Sequence, residues 1–304
     1  MIVSAVLLLG RAASLPATRR ARRLAAAAAE RHFPGRLEVI SAQSRFPASG
    51  GAEILLRLTG DPDAAVRLHV DRAAPGAARL AEAVEDARAA ADRWRALRDA
   101  LASGGHEVHA LGRVVADPWI AADLGNDTVT GVLAALHASL AAHPGGTTAG
   151  SVLIAAPRTL RTLPRDRRDL PTLLRLTSRR RLAALSAAPY HRASFGPDGE
   201  PVLSLLRPFP LQRAYEAAVT ASARRWLARH LPGAEVTAVL GATRLLPGRV
   251  DRLTAHLVLR DAGTSRLGDH VLRVTTTLDG ALLGTPVLHR DVREGTGLLR
   301  LPPQ

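Results

Sequence analysis

Nine arginines crowd into residues 157–181 against two aspartates: Arg158, Arg161, Arg165, Arg167, Arg168, Arg175, Arg179, Arg180 and Arg181. A guanidinium fork takes phosphate or carboxylate oxygens two at a time. This stretch is therefore where the sequence concentrates anion-binding chemistry. Leu170, Leu173, Leu174, Leu182 and Leu185 are spaced for an amphipathic basic helix in its second part, a form that lies on an anionic membrane or polyanion. The segment has no Trp, Phe or Tyr, which weakens base stacking and interfacial anchoring alike. The nine arginines form the candidate anionic-surface site, and a solvated linker is the plain alternative.

Other constellations carry less. His106-Glu107-Val108-His109 resembles a metal pair, but the two histidines are three apart in a stretch that reads as a strand. Residues three apart on a strand point to opposite faces. Asp61 and Asp63 offer carboxylates to a hard cation, yet Gly60-Asp61-Pro62-Asp63 has the composition of an ordinary turn, and calcium needs six or more oxygens. His32 and His230 occupy matching helix ends, where histidine suits the dipole and the last carbonyls. Gly295-Thr296-Gly297 lacks the third glycine of a dinucleotide loop. Asn126-Asp127-Thr128 fits a glycosylation sequon but reads first as a helix cap. No metal or cofactor is expected.

Composition excludes several chemistries. All 41 basic residues are Arg, and there is neither Lys nor Cys. A P-loop, a Schiff-base enzyme and a protein kinase each need a lysine. Disulfides, thiol catalysis and thiolate metal sites need cysteine. The formal net charge of +14 draws anionic partners, but Arg without Lys, together with a single Asn, is also the mark of a GC-rich genome. Nucleic acid is thus not the expected partner.

The elements that must carry these residues follow from periodicity. A helix over about 18–33 stops at Pro34-Gly35 and leads into strands at 37–40, 52–58 and 64–70. Ile54, Leu56 and Leu58 share one strand face, as do Val66, Leu68 and Val70. A second helix of about 211–231 stops at Pro232-Gly233 and leads into strands at 235–239, 253–260 and 270–278. His32-Phe33-Pro34-Gly35 is echoed by His230-Leu231-Pro232-Gly233, so the order helix, His-x-Pro-Gly, strands reads as a duplicated unit. Between the copies, 77–103 is a long helix striped by Leu80, Val84, Ala87, Ala91, Trp94, Leu97 and Leu101 and ended by Gly104-Gly105. A strand-like stretch at 107–115, a helix capped by Asn126-Asp127, a short buried strand at 151–155 and a hairpin strand at 202–206 complete the reading.

At the N-terminus, Ile2 to Leu9 is apolar but far shorter than the about 20 residues that span a bilayer. It reads as the apolar part of a degenerate export signal; Arg19, Arg20, Arg22 and Arg23 follow it closely and oppose export, so a tail or edge strand of a cytoplasmic protein is the alternative. The Leu-Leu-Leu-Gly run at 7–10, the first helix with its strands at 52–58 and 64–70, the long helix 77–103 and the strand 151–155 following Gly150 together resemble the uncharacterised secreted lipoproteins of Streptomyces-type actinomycetes. That resemblance implies an extracytoplasmic or membrane-associated protein. It brings no functional residues, and Arg11 stands where lipid attachment requires Cys.

The expectation is an α+β protein with two related helix-then-antiparallel-sheet units, cystatin- or NTF2-like, joined by a helical, Arg-rich middle. The boundaries are 1–17 for the signal or tail, 18–156, 157–188 for the Arg-rich linker, and 189–304. Its function reads as non-enzymatic binding at the cell envelope, to an anionic membrane, a wall polymer or a protein partner. A small-ligand module and an enzyme with a spatially assembled site stay open beside it.

Overall fold

The computed structural model describes residues 18–44, 51–71, 73–112, 117–143, 150–165, 169–196, 201–241, 243–260, 270–293, 299 and 301. The apolar run at 2–9, Arg167, Arg168 and Gly295-Thr296-Gly297 lie outside the described residues. The protein is mixed α+β. In chain order it has α1 (18–32), β1 (Leu37–Ser44), β2 (Ala52–Leu58), β3 (Ala65–Val70), α2 (Ala77–Ser103), β4 (Val108–Leu111), β5 (Pro118–Ala121), α3 (Val129–Ala141) and β6 (Gly150–Ala155). A 3-10 helix (Pro157–Thr162), α4 (Thr172–Leu176), α5 (Arg179–Leu185), β7 (Tyr190–Phe195), β8 (Pro201–Leu206), α6 (Phe209–His230), β9 (Glu235–Leu240), β10 (Arg252–Arg260), β11 (His270–Thr277) and β12 (Leu282–His289) follow. No helix among the described residues is long and apolar enough to cross a membrane.

The chain divides into two compact units, one of residues 1–99 and 165–178 and the other of 100–164 and 179–304. The stretch expected as a linker at 157–188 is therefore shared between the two units.

In the first unit, β1, β2 and β3 form an antiparallel meander. The alternation read from sequence is real: Ile54, Leu56, Val66 and Val70 are fully buried. Ala21, Ala25, Ala28 and Ala29 of α1 join the same core as Leu80, Val84, Ala87 and Ala91 of α2. Alanine at the buried positions lets a helix backbone approach a sheet closely while keeping the highest helix propensity.

The second unit holds two sheets. One is mixed, in the order β4-β5-β6-β7-β8, and only β5 and β6 run parallel. Parallel neighbours need a crossover, and α3 supplies it, with Val129, Leu133 and Leu136 buried. The other is an antiparallel meander, β12-β11-β10-β9, which α6 covers with Tyr215, Val219, Ala223 and Leu227. Tyr215 and the buried Thr276 share a hydrogen bond of 2.7 Å between their hydroxyls. The β11–β12 turn comes so close to α6 that a Cβ on Gly280, itself at φ +89°, would sit 2.9 Å from the Val219 nitrogen. Residues 243–245 bond to β8 on one side, Leu205 N–H donating to the Thr243 carbonyl at 2.7 Å, and bridge to Leu253 of β10 on the other. They cover an edge strand that would otherwise offer unpaired backbone groups.

Periodicity does not reveal the mixed sheet with its strands β5 and β7. Three expectations also need adjustment. The amphipathic helix expected after Leu170 is two short helices, α4 and α5, interrupted at Thr177-Ser178. Of the strand expected at 107–115, residues 108–111 are strand, while 113–115 lie outside the described residues. Asn126 does not cap α3, whose cap position is Thr128. Its side-chain carbonyl instead accepts the Val250 N–H at 2.9 Å, so an apparent helix signal serves to tie down the loop before β10.

Candidate functional site

The parallel pair creates a polar crevice. Ala121 and Ala155, the last residues of β5 and β6, are partners across the sheet, so the chain leaves both strands at the same end. β7 runs antiparallel to β6, and the pairing of His191 with Ile154 places its start at that same end. Crevices outside the carboxyl ends of parallel strands are where such sheets take ligands. Here a crevice of about 600 Å³ is lined by Ala122, Asp123 and Leu124 after β5, by Ala156, Pro157, Arg158 and Arg161 after β6, and by Pro189 and His191.

The 3-10 helix sets the two arginines. Residues three apart eclipse one another in this helix, so Arg158 and Arg161 lie along one edge. Thr159 is buried, and Leu160 and Leu163 pack against the core of Ala110, Trp119, Leu153, Ala155 and Leu185. That packing fastens the turn and leaves both arginines exposed. Neither has an acidic partner among the described residues, and Asp123 has no ion pair there. Two guanidiniums and one carboxylate thus face the crevice.

His191 adds a neutral ring. Burial and then the nearby Arg207 guanidinium push its pKa down to about 4, so at neutral pH it donates and accepts hydrogen bonds without adding charge. Arg207 is itself held over the Tyr215 ring at 4.4 Å.

The other arginines of the segment do different things. Arg181 is buried and donates to the His109 carbonyl at 2.5 Å. Arg175, in the first unit, donates to the Thr172 hydroxyl at 2.8 Å. Arg165 is exposed, as are Arg179 and Arg180 on α5. Of the seven described arginines of the segment, the fold brings Arg158 and Arg161 together at the crevice. Asp123 and His191 do not stand out in the sequence. The available signal is an apolar run, a helix and a second apolar run ending at Ala121 and Ala155, whose strand ends mark the rim.

The remaining constellations resolve into structure. Asp61 accepts the N–H groups of Asp63 and Ala64 at 3.1 and 3.2 Å, and Arg95 bridges Asp61 and Asp63. Burial raises the Asp61 pKa, but Arg95 and the two amides outweigh it and hold the carboxyl below its ordinary value. His230 Nδ1 lies 2.8 Å from the Trp226 carbonyl, at the helix end as expected. His32 is exposed at the end of α1. His109 sits on β4, 4.0 Å from Glu107, with a pKa lowered mainly by burial, while His106 precedes the strand. No cluster of three or more His, Asp or Glu able to hold a metal occurs among the described residues. No family model, no curated protein and no solved structure matches the chain.

Proposed function

We propose that the protein is a non-enzymatic binding protein of the cell envelope and that it holds a small anionic ligand at Arg158 and Arg161. The observation that carries this reading is the pair of arginines, eclipsed on one 3-10 turn and lacking acidic partners among the described residues, at the rim of a crevice of about 600 Å³. That volume lies within the ordinary range for small-ligand sites. The lining includes no Ser, Thr, Cys or Lys to act as a nucleophile, which favours binding. Phosphate and carboxylate groups suit the two forks, and Asp123 suits a hydroxyl or ammonium group on the same ligand.

Calorimetric titration with pyrophosphate and with citrate at low ionic strength tests the site. Saturable binding is expected, weakened about a hundredfold by the double variant Arg158→Gln/Arg161→Gln, since each charged hydrogen-bonding group contributes about 1.5 kcal/mol or more. Equal binding by the variant would sink the assignment.

The envelope location rests on the apolar run at 2–9 and on the resemblance to actinomycete lipoproteins, with Arg11 arguing against a lipid anchor. Fractionation of the full-length protein should recover it with membrane or wall material and release it with salt. Recovery from the cytosol alone would contradict it.

We also read α1 with β1–β3 and α6 with β9–β12 as copies of one cystatin- or NTF2-like unit. Supporting this, each helix ends at His-x-Pro-Gly with the glycine at positive φ, +67° at Gly35 and +88° at Gly233, before an antiparallel meander. An experimental structure in which the first helix, corner and two strands of the copies did not superpose would rule the duplication out.

A further inference from the structure

A second site lies on the other sheet of the second unit. β12 pairs with β11 at both ends but not in the middle: Val287 opposes Arg273 and Leu283 opposes Thr275, so β12 carries two extra residues. Gly284, at φ +70°, and Pro286 make this bulge. Such bulges break pairing and re-aim side chains, and they gather beside functional sites. This one lies against α6 and opens a groove of about 340 Å³, lined by Ser222, Arg225, Trp226 and Arg229 of the helix and by Gly284 and Pro286 of the strand.

The helix side is built for an anion. Arg225 and Arg229 are one turn apart and exposed, and neither has an acidic partner among the described residues. Arg225 donates to the Ser222 hydroxyl at 3.1 Å, and Arg229 donates to the Arg225 carbonyl at 3.4 Å. Between them Trp226 supplies a flat apolar surface. His230 stacks on its ring at 4.2 Å and 7°, and the contact from His230 Nδ1 to the Trp226 carbonyl fixes that stack. A ring held in this way loses little freedom when a ligand lies against it.

We propose that this groove binds an aromatic or otherwise flat ligand carrying a phosphate or carboxylate, its ring against Trp226 and its anionic group between Arg225 and Arg229. The site is separate from the crevice at Arg158 and Arg161 and does not rest on that assignment.

Phenyl phosphate is the probe. Trp94 and Trp119 are 5% and 4% exposed, so a change in emission on binding reports Trp226. Saturable quenching is expected, with inorganic phosphate and benzyl alcohol each binding about tenfold more weakly or worse. The exposed double variant Arg225→Gln/Arg229→Gln should lose about tenfold or more in affinity with an unchanged circular dichroism spectrum. Arg158→Gln/Arg161→Gln should bind phenyl phosphate as the unaltered protein does. Quenching that never saturates, or that survives the Arg225/Arg229 change, overturns the proposal. So does binding lost only in the Arg158/Arg161 variant, and inorganic phosphate binding as tightly as phenyl phosphate overturns the aromatic part.

Discussion

An Arg95→Ala variant is expected to lose about 2–3 kcal/mol of unfolding free energy, read from urea denaturation followed by Trp94 emission. Arg95 on α2 is a hub. Its Nε donates to Asp63 at 3.0 Å, one terminal nitrogen donates to Asp92 at 2.7 Å, and the other pairs with Asp61. The side chains of Asp61 and Asp63 are only 17% and 11% exposed. Removing the cation leaves two desolvated carboxylates in one turn between β2 and β3. The loss therefore includes the cost of the partners left behind as well as the pair itself. Arg95→Lys keeps the charge but not the fork and should fall between the two. The exposed pair of Arg88 with Glu85 gives the contrast: Arg88→Ala should cost less than about 1 kcal/mol. The same hub sets an acid dependence. Asp61 is held below its ordinary value, so the stability it contributes is full above about pH 4 and is lost as the pH falls further. The Arg95→Ala variant should lack that limb. A loss under about 1 kcal/mol, with the limb intact, would mean that Arg95 is not what holds the turn.

The turn that Arg95 holds is also one that its own residues spell out. Gly-Asp-Pro-Asp between two alternating strands announces itself, and so does the long helix. The bounds 77–103 follow from an apolar stripe of which Leu80, Val84, Ala91 and Leu101 are all buried, and from Gly105 at φ +81° just past its end. In both cases the information is local. What stays hidden depends on distant partners. β5 is four residues long, Pro118 to Ala121, too short for its alternation to be read. It exists because β6, beyond the whole of α3, pairs beside it. β12 contains Gly284 and Pro286, which erase the alternation, yet those two residues make the bulge that shapes the groove.

The candidate site is legible in the same partial way. An excess of arginine marks a segment, but periodicity cannot say which members a fold will bury. Arg158 and Arg181 belong to the same Arg-rich stretch. Arg181 ends buried on a backbone carbonyl, and Arg158 at a crevice. The difference is made by a 3-10 turn too short to have a readable period and by strand ends that topology alone brings together. Asp123 and His191 belong to the site for that topological reason, and nothing in their immediate neighbours singles them out.

Acid should destabilise the second unit between about pH 6.5 and 4. His191 carries a pKa near 4 because burial and Arg207 oppose its charged form. His256, on β10, is fully buried, with no partner for either ring nitrogen among the described residues. Burial first, then Arg273 on β11 and His289 on β12, lower its pKa as well. A histidine lowered in the folded state takes no proton there while the unfolded chain does. Above about pH 6.5 both forms are neutral and nothing is lost. Below it the unfolded state gains protons, and stability falls until the folded pKa is reached. For His191 the drop from 6.5 to about 4 corresponds to at most about 3 kcal/mol, reduced by the part of the ring still in water. Thermal unfolding at about pH 7 and about pH 4.5 should therefore separate the unaltered protein from His191→Gln, whose acid slope is shallower. His256→Leu should flatten the slope further, because it removes a second buried ring whose pKa is lowered in the folded state. If both variants keep the full slope, the acid sensitivity lies with other groups and the desolvation argument for these two histidines fails.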